Sequence, residues 1–338
     1  MSTLTEAAPA TGAAIDVELT YRDAINAALD DEMAADAAVI LMGEDVDADG
    51  GVFKTNTGLP AKYPGRVMTT PICENGFMGV ALGMSINGLR PVVEIMFADF
   101  LPSAGDAIVN QLPKYRFMSG GQFAVPVTVR VICGGGARFG TQHSATGESW
   151  YMSQPGLRVV TASSPGAAYE LLRAAIRDGN PVLFHEHKAL YGRKGPVHRG
   201  AVAEVGKAAV LRQGSDVTIV ATLLMVERAV AAADALAADG ISAEVIDLRW
   251  VRPIDHATIE ASVRKTGRLV IAEEQWHEGG WGATVISKLA QTRIPWKASP
   301  TAVSLPYGLL IPYSPPLEAE LMPSADKIAA AARTLVGR

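Results

Sequence analysis

Short apolar runs alternate with helical segments along most of this chain, and this alternation constrains the fold more than any other feature. The strand candidates are residues 38–45, 91–97, 126–132, 157–162, 181–187, 216–222, 242–248 and 268–274. Helix candidates at 75–87, 104–117 and 165–177 lie between strands of the first half, and an Ala-rich helix is predicted over 226–240 in the second. Such alternation is typical of α/β proteins with a largely parallel sheet.

Two helix starts carry a clear local signal. Thr20 followed by Asp23 resembles a capping box, in which the threonine side chain accepts from a backbone N–H of the first turn. Ser164 followed by Pro165 predicts an N-cap residue with proline at the first helical position. Both signals predict where a helix begins.

Length and composition exclude several classes of protein. The chain has 338 residues, of which 49% are hydrophobic and 19% charged, so about two globular domains of roughly 150 residues each are expected. A formal net charge of -5 without a basic block argues against a nucleic-acid-binding protein. The apolar run 218–226 is too short for the roughly 20 residues of a membrane span.

The hydrophobic periodicity of strands and helices is lost at 191–206, which predicts the boundary between the two domains in this segment. The prediction is an extension at 1–17, a first domain at 18–192, a linker at 193–206 and a second domain at 207–338. The first 17 residues contain no Arg or Lys, unlike secretory or mitochondrial targeting segments. Cys73 and Cys133 form no CxxC pattern and are expected to be small buried thiols in a reducing cytoplasm.

Polar residues that follow the apolar runs are the first candidates for a functional site, because ligands of parallel sheets bind beyond the carboxyl ends of the strands. Four such places occur, and each has a purely structural alternative. They are Glu44 with Asp45, the segment 69–77 around Glu74, the segment 98–100, and the glycine-rich segment 133–144, which ends in Gln142, His143 and Ser144.

The structural alternatives stay open at this point. Glu44 and Asp45 could cap a strand end, and Glu74 could interact with a helix macrodipole. The glycine-rich segment has no Lys-Ser/Thr for a Walker loop and does not fit GxGxxG, but it would let the backbone approach a ligand closely. His185 and His187 alternate along one strand, yet they lack a third convergent metal ligand.

Taken together, six segments resemble one known family. They are TTPICENGFMGVALGMSINGLRPVVEIMFADF, NQLPKYRFMSGGQFAVPVTVR, TQHS, QPGLRVVTASSPGAAYELLRAAIRDGNPVLFHEHKALYG, LRWVRPIDHATIEASVRKTGRLVIAEE and IPYSPPLE, in this order. The series closely resembles the beta subunits of the thiamine-diphosphate-dependent 2-oxo acid dehydrogenases, which include the pyruvate, branched-chain and acetoin enzymes. The resemblance implies a transketolase-like pyrimidine-binding domain followed by a smaller transketolase C-terminal-type α/β domain.

The resemblance also implies roles for individual residues. Glu74 matches the family glutamate that hydrogen-bonds N1′ of the cofactor's aminopyrimidine and so favours the imino tautomer. Ile72, Met96 and Phe100 match positions that line the aminopyrimidine, although core packing also accounts for Ile72 and Met96. His143 matches a histidine that faces the reactive carbon and shuttles protons.

A second set of matching positions concerns a structural potassium ion. In some family members the corresponding residues coordinate the ion, largely through backbone oxygens, and helix C-capping accounts for the same segment equally well. These positions are Val127, Ala175, Ile176, Asp178 and Asn180.

The resemblance implies that this chain holds only half of a cofactor site. The chain has no GDG segment and no Asn-Asn pair, the features through which Mg²⁺ holds the cofactor's diphosphate in the family. The expected partner is an alpha subunit that carries these ligands, in an alpha2beta2 heterotetramer. The second domain is expected to help dock a dihydrolipoyl acyltransferase core.

Three functions follow from these observations. The first is the beta subunit of a pyruvate- or acetoin-type dehydrogenase component that reductively acylates lipoyl groups, to which the segment EHKALYG is closest. The second is the C-terminal half of a split transketolase. The third is a non-catalytic subunit with the same fold, although retention of Glu74, Phe100 and His143 together argues against it.

Overall fold

A computed structural model describes residues 16–337 of the chain, and within this range the fold is α/β, as predicted. The strands are β1 (Asp16–Thr20), β2 (Val39–Gly43), β3 (Val67–Thr69), β4 (Arg90–Ile95), β5 (Thr128–Cys133), β6 (Arg158–Ala162), β7 (Val182–His187), β8 (Lys194–His198), β9 (Ala209–Arg212), β10 (Val217–Ala221), β11 (Ala243–Asp247), β12 (Trp250–Arg252), β13 (Leu269–Trp276) and β14 (Thr301–Leu305). The helices are α1 (Tyr21–Ala35), α2 (Leu59–Lys62), α3 (Glu74–Ile86), α4 (Leu112–Met118), α5 (Glu148–Tyr151), α6 (Pro165–Arg177), α7 (Leu224–Ala238), α8 (His256–Thr266), α9 (Trp281–Ala290), α10 (Pro315–Leu321) and α11 (Ala325–Val336).

The first sheet has the strand order β12-β6-β7-β5-β4-β2-β3. All its pairings are parallel except that of the edge strand β12, which comes from the second half of the chain and runs antiparallel to β6. Strands β2, β5 and β7 are buried along their whole length. Their continuous apolar character reflects burial on both faces, as in other parallel sheets covered by helices.

The second sheet has the order β14-β13-β10-β11-β9, and only the edge strand β9 is antiparallel to its neighbour. The two sheets do not have separate cores. One buried cluster contains Ile25 and Leu171 of the first half together with Met225 and Ile328 of the second. Hydrophobic contacts therefore hold the two halves against each other.

Both predicted helix starts are confirmed. The Thr20 side chain accepts from the backbone N–H of Asp23, and the Ser164 side chain accepts from that of Ala167. Each contact satisfies one of the N–H groups that the first turn of a helix leaves without an intrahelical partner. Short-range capping was therefore readable from sequence alone.

The helix predicted over 104–117 is interrupted in the structure. A 3-10 helix covers Ala98–Ala104, residues 105–106 are α-helical, a π-helical turn covers Ala107–Gln111, and α-helix resumes at Leu112. Pro113 lies in the first turn of α4, where its missing N–H costs nothing. Pro113 has no backbone N–H and cannot donate an intrahelical hydrogen bond. The backbone therefore changes from π-helical to α-helical geometry just before it.

Residues on either side of the predicted domain boundary also form structure. Lys194–His198, inside the predicted linker, is strand β8 and pairs antiparallel with β1. The predicted extension 1–17 falls largely outside the described residues, and Asp16 and Val17 begin β1. No helix within 16–337 combines the length and the apolar character that a bilayer crossing requires.

A buried ion cluster links three neighbouring strands of the first sheet. Arg130 on β5 is fully buried, and its guanidinium contacts Glu94 on β4 at 2.8 Å and Glu186 on β7 at 2.6 Å. Asn56 and Tyr191 add hydrogen bonds to the two carboxylates. Burying three charges is costly, and the cluster is stable because each charge has a partner.

We expect Arg130→Met to lower the free energy of unfolding by about 3–5 kcal/mol, because both buried carboxylates lose their positive partner. Urea unfolding followed by circular dichroism measures this loss. Arg193→Met is the matched control, since that arginine pairs with Glu227 on the surface and such pairs contribute about 1 kcal/mol or less. Equal stability losses in the two variants would contradict the prediction.

Candidate active site

The carboxyl ends of five parallel strands meet at one edge of the first sheet, and four of them are followed by a segment that the sequence predicted to be functional. Glu74 follows β3, Glu44 follows β2, and Phe100 follows β4. The segment 134–143 follows β5, and Lys188 follows β7. The expectation that polar residues collect at this edge agrees with the topology.

Glu74 is the first residue of α3, and its side chain is half-buried. Burial, followed by the charges of Glu74 and Asp45, raises the pKa of Glu44. One carboxylate oxygen of Glu44 and the hydroxyl of Thr70 are buried and have no hydrogen-bond partner among the described residues. Such groups normally find a partner, so this edge is suited to a polar ligand.

Two predictions about burial next to Glu74 are wrong. Ile72 is 83% exposed, which excludes core packing within this chain. Cys73 is exposed instead of being a buried thiol, whereas Cys133 is buried as expected. Both residues lie in the turn that leads into α3, where no other element of the described chain covers them. Met96 is half-buried at the end of β4.

Aromatic rings surround His143. The centroid of its imidazole lies 4.7 Å from that of Phe97 and 5.5 Å from that of Phe100, both in edge-to-face contact. The 3-10 helix 98–104 contacts both helix α3 and the turn 141–143. This helix therefore lies between the element that begins with Glu74 and the element that ends with His143.

Asp99 supports the residues that follow His143. One of its carboxylate oxygens accepts a hydrogen bond from the backbone N–H of Ala145 at 3.2 Å. Burial raises the pKa of Asp99. The 3-10 helix 98–104 thus contributes both a ring against the imidazole and an acceptor for the adjacent backbone.

The glycine-rich segment is held by carboxylates from the second half of the chain. A Glu274 oxygen accepts from the backbone N–H of Gly135. A Glu318 oxygen accepts from the N–H groups of Gly136 at 2.9 Å and Arg138 at 3.3 Å. The segment that carries His143 is therefore positioned by the second domain.

Two glycines of this segment are required by contacts within the protein. A Cβ atom at Gly134 would overlap the ring of His187, and one at Gly140 would overlap the ring of Tyr313. Both residues also have a left-handed backbone, with φ values of +92° and +77°. The pattern was visible in sequence, but the groups that require it were not.

His187 contacts the second domain, although its alternation with His185 suggested only a shared strand face. Its Nε2 lies 3.0 Å from a Glu274 oxygen, and both side chains are buried. Burial raises the pKa of Glu274, but His187 and the Gly135 N–H outweigh burial, and the net shift is downward. Within residues 16–337 no group of three His, Cys, Asp or Glu side chains is arranged to hold a metal ion.

Four of the residues matched to a potassium site have carbonyl oxygens that accept hydrogen bonds from the protein. Arg90 donates to those of Ile176 at 3.1 Å and Asp178 at 3.3 Å. The backbone N–H groups of Asp178 and Val182 donate to those of Ala175 and Val127, respectively. The Asn180 N–H donates to the Asp178 carboxylate. These contacts support the helix C-cap interpretation.

Sequence reasoning missed Lys188, Glu274 and Glu318. Their contacts with the glycine-rich segment span between 45 and 182 residues along the chain, so no local pattern indicates them. Lys188 follows strand β7, Glu274 belongs to strand β13 and Glu318 belongs to helix α10, and the patterns of these segments are typical of ordinary strands and helices. Only the packing of the two domains brings them to the site.

A group of buried acids lies beneath the same segment. Glu148 is fully buried, and burial raises its pKa to about 8. Gln275 donates to one Glu148 oxygen at 2.6 Å, while the other oxygen has no partner among the described residues. Burial likewise raises the pKa of Glu273 to about 7. Glu148 is therefore protonated at neutral pH.

Comparison with known families gives two matches that together span most of the chain. Residues 17–194 match the transketolase pyrimidine-binding domain, and residues 206–328 match the transketolase C-terminal domain. A solved split-gene transketolase, described as an inactive beta4 tetramer, superimposes with a TM-score of 0.78 at 25% identity. The superposition covers 94% of this chain and 98% of that one.

Curated relatives are more similar in sequence. The mitochondrial pyruvate dehydrogenase E1 component subunit beta-2 of Oryza sativa is 44% identical over 96% of this chain and 90% of its own length. The beta subunit of the acetoin:2,6-dichlorophenolindophenol oxidoreductase of Cupriavidus necator is 41% identical, with 94% and 97% covered. The 2-oxoisovalerate dehydrogenase subunit beta of Bacillus subtilis is 39% identical, with 94% and 98% covered.

We expect Glu148→Gln to flatten the decline of stability with pH. The folded-state pKa of about 8 lies above the ordinary value of 4.5, so folding retains a proton between these values. The free energy of unfolding therefore falls as pH rises from about 4.5 to 8, by up to roughly 1.4 kcal/mol per pH unit. The glutamine side chain does not titrate, so the variant lacks this contribution to the pH dependence of stability.

Thermal or urea unfolding at pH 6 and pH 8 measures the difference. Between pH 6 and pH 8 the free energy of unfolding of the Glu148→Gln variant should fall by about 2 kcal/mol less than that of the native chain. Glu278→Gln is the matched control, because that side chain is exposed. An unchanged pH slope in the Glu148 variant would show that the carboxyl is not held protonated.

Proposed function

Because this chain belongs to the family of E1 beta subunits of the thiamine-dependent 2-oxo acid and acetoin dehydrogenases, we propose that it supplies the aminopyrimidine side of a shared active site. The observation that carries the proposal is the meeting of Glu74, Phe100 and His143 at one sheet edge. These residues are the ones that the resemblance assigns to the cofactor and to proton transfer. The bound partner is an alpha subunit.

The residues at this edge fit an aminopyrimidine. Glu74 offers a half-buried carboxylate, and the buried oxygens of Glu44 and Thr70 lack partners among the described residues. Ile72 and Phe100 offer apolar surface beside these polar groups. Thiamine diphosphate, when bound, would supply a carbon nucleophile and an electron sink for cleavage beside the oxo group.

Glu74 holds a proton at N1′ of the ring in this proposal. Its carboxylate lies in the first turn of α3, at the end of the helix where free backbone N–H groups collect. Burial and the neighbouring carboxylates of Glu74 and Asp45 raise the pKa of Glu44, so Glu44 takes up a proton beside the ring more readily than an exposed glutamate would. Ile72 and Phe100 limit the access of water to this proton.

In this proposal His143 transfers a proton to or from the substrate, next to the reactive carbon of the cofactor. The rings of Phe97 and Phe100 pack edge-to-face against its imidazole, and Asp99 and the second domain hold the backbone around it by hydrogen bonds. A general acid–base group gains most from such positioning, because proton transfer requires hydrogen-bond distance at the moment of reaction. The acceptor in this proposal is a lipoyl group of a dihydrolipoyl acyltransferase core.

The alpha subunit completes the site in an alpha2beta2 heterotetramer and carries the Mg²⁺ and diphosphate ligands. Two observations support this arrangement. The sequence contains no GDG segment. The turn and helix around Glu74 also expose apolar side chains, with Ile72 at 83% and Val80 at 54% exposure. Exposed apolar surface beside a functional group is typical of a subunit interface.

We propose pyruvate or acetoin as the donor, since the relatives named for these compounds include the 44% and 41% identical ones, whereas the 2-oxoisovalerate relative is 39% identical. The split-transketolase alternative rests on a similar fold at 25% identity, which is well below these values. The non-catalytic alternative is tested by the variants Glu74→Gln and His143→Ala.

Both cysteines are free thiols, which supports a reducing cytoplasm as the compartment.

We expect Glu74→Gln and His143→Ala each to lower the rate of 2-oxo acid-dependent dye reduction by about 10²-fold or more, because each removes a proton-transfer group. The assay uses the chain co-expressed with its alpha subunit, with pyruvate, acetoin and 2-oxoisovalerate compared as donors. Glu204→Gln and His198→Ala, at exposed positions, serve as controls. Unchanged rates in both site variants would refute the catalytic assignment.

We further expect the chain without its alpha subunit to bind thiamine diphosphate weakly and to decarboxylate no 2-oxo acid, since half of the ligands are absent. Isothermal titration with thiamine diphosphate and Mg²⁺ compares the isolated chain with the heterotetramer. Binding by the isolated chain as tight as that of the heterotetramer would overturn the shared site. Binding only by the heterotetramer supports it.

A further inference from the structure

Lys188 is a buried cation next to the glycine-rich segment. It begins the 3-10 turn Lys188–Leu190 directly after β7, and only 8% of its surface is exposed. Lysine is almost never buried without a specific set of partners, because its ammonium loses strong hydration. The partners of Lys188 therefore indicate what the buried charge does.

The ammonium group joins the two ends of the segment 134–143. Nζ donates to the carbonyl oxygen of Gly134 and, at 2.6 Å, to that of His143. These hydrogen bonds are charge-assisted and therefore stronger than bonds between neutral groups. A single side chain thus fixes the point where the segment leaves β5 and the residue that carries the imidazole.

Aromatic contacts connect the same ammonium to the imidazole side. Nζ lies 5.9 Å from the ring centroid of Phe97 and 5.4 Å from that of Phe139. The Phe97 ring in turn contacts the His143 ring at 4.7 Å. Lys188 therefore contacts both the backbone of His143 and the ring that limits its side-chain orientation.

An apolar side chain at position 188 would be buried at a lower desolvation cost than the lysine. Burial lowers the pKa of Lys188, although Glu274 and Asp99 oppose that shift. No salt bridge within 4.0 Å involves Lys188 among the described residues, so its close partners are the two carbonyl oxygens. The two carbonyl oxygens therefore compensate part of the cost of burying this charge.

We propose that Lys188 is a positioning residue for the reaction, which holds His143 in its working geometry through the carbonyl oxygens of Gly134 and His143. The inference rests on the proposed function for its kinetic part. Its structural part, the anchoring of the segment 134–143, stands without it. Lys188 itself does not touch the reacting atoms.

The structural part is tested by hydrogen exchange on the full chain. Lys188→Met removes the ammonium and keeps an unbranched side chain. Backbone amides of 134–146 should exchange about 10- to 100-fold faster in this variant, while the remaining sheet amides stay unchanged. Lys194→Met, at an exposed position on β8, should leave exchange at 134–146 unaltered. Equal exchange in a folded Lys188→Met variant would overturn the proposal.

A second measurement needs no variant and covers the case in which Lys188→Met fails to fold. Brief labelling of the native chain with an amine-reactive anhydride, read by mass spectrometry, compares the two lysines. Lys188 should react at least about tenfold more slowly than Lys194, because a buried amine held by acceptors is protected. Equal labelling of the two side chains would overturn the anchoring.

The kinetic part is tested in the heterotetramer. Lys188→Met should lower kcat by about 10- to 100-fold with little change in KM, whereas Lys194→Met should change neither. In a His143→Ala background, Lys188→Met should cause no further loss, because it acts through His143. An equal loss in both backgrounds would indicate a general structural role and reject the proposal.

These outcomes separate this proposal from the proposed function. If His143→Ala retained full activity, the catalytic assignment would fail, and the exchange experiment would still decide whether Lys188 anchors the segment. If His143→Ala lost activity and Lys188→Met did not, only the positioning role would be rejected.

Discussion

The contact between Glu274 and the carboxyl edge of the first sheet is the interaction on which the site depends. This buried carboxylate comes from β13 of the second sheet, and it contacts both His187 on β7 and the backbone N–H of Gly135 after β5. A buried charge requires such partners, so the second domain can pack only where these groups are available. Domain packing and the conformation of the His143 segment are consequently determined together.

The same edge is complete on one side only. The His143 side is packed by aromatic rings, Lys188 and second-domain carboxylates, whereas Ile72 and Cys73 on the Glu74 side are exposed. The hydrophobic residues, 49% of the chain, therefore include side chains that lie outside its interior. Part of the apolar surface is available for another subunit, as is usual for chains that share an active site across an interface.

Buried ionisable groups in this protein fall into two kinds. Arg130 with Glu94 and Glu186 forms a cluster in which each charge has a partner, and it joins strands that are already hydrogen-bonded neighbours. Glu148 and Glu273 have no salt bridge within residues 16–337, and burial raises the pKa of each carboxyl. The first kind links three neighbouring strands, while the second makes the stability of the fold depend on pH.

The sequence by itself determined the α/β class, most of the strands, the helix starts at Thr20 and Ser164, and the edge at which Glu74 and His143 meet. Each of these follows from local patterns, since hydrophobic periodicity and capping act over a few residues. Only the tertiary structure decided the exposure of Ile72 and the partners of the glycines and of Lys188. Those features depend on groups that lie up to 182 residues apart, and their positions follow from the packing of two domains and not from any local pattern.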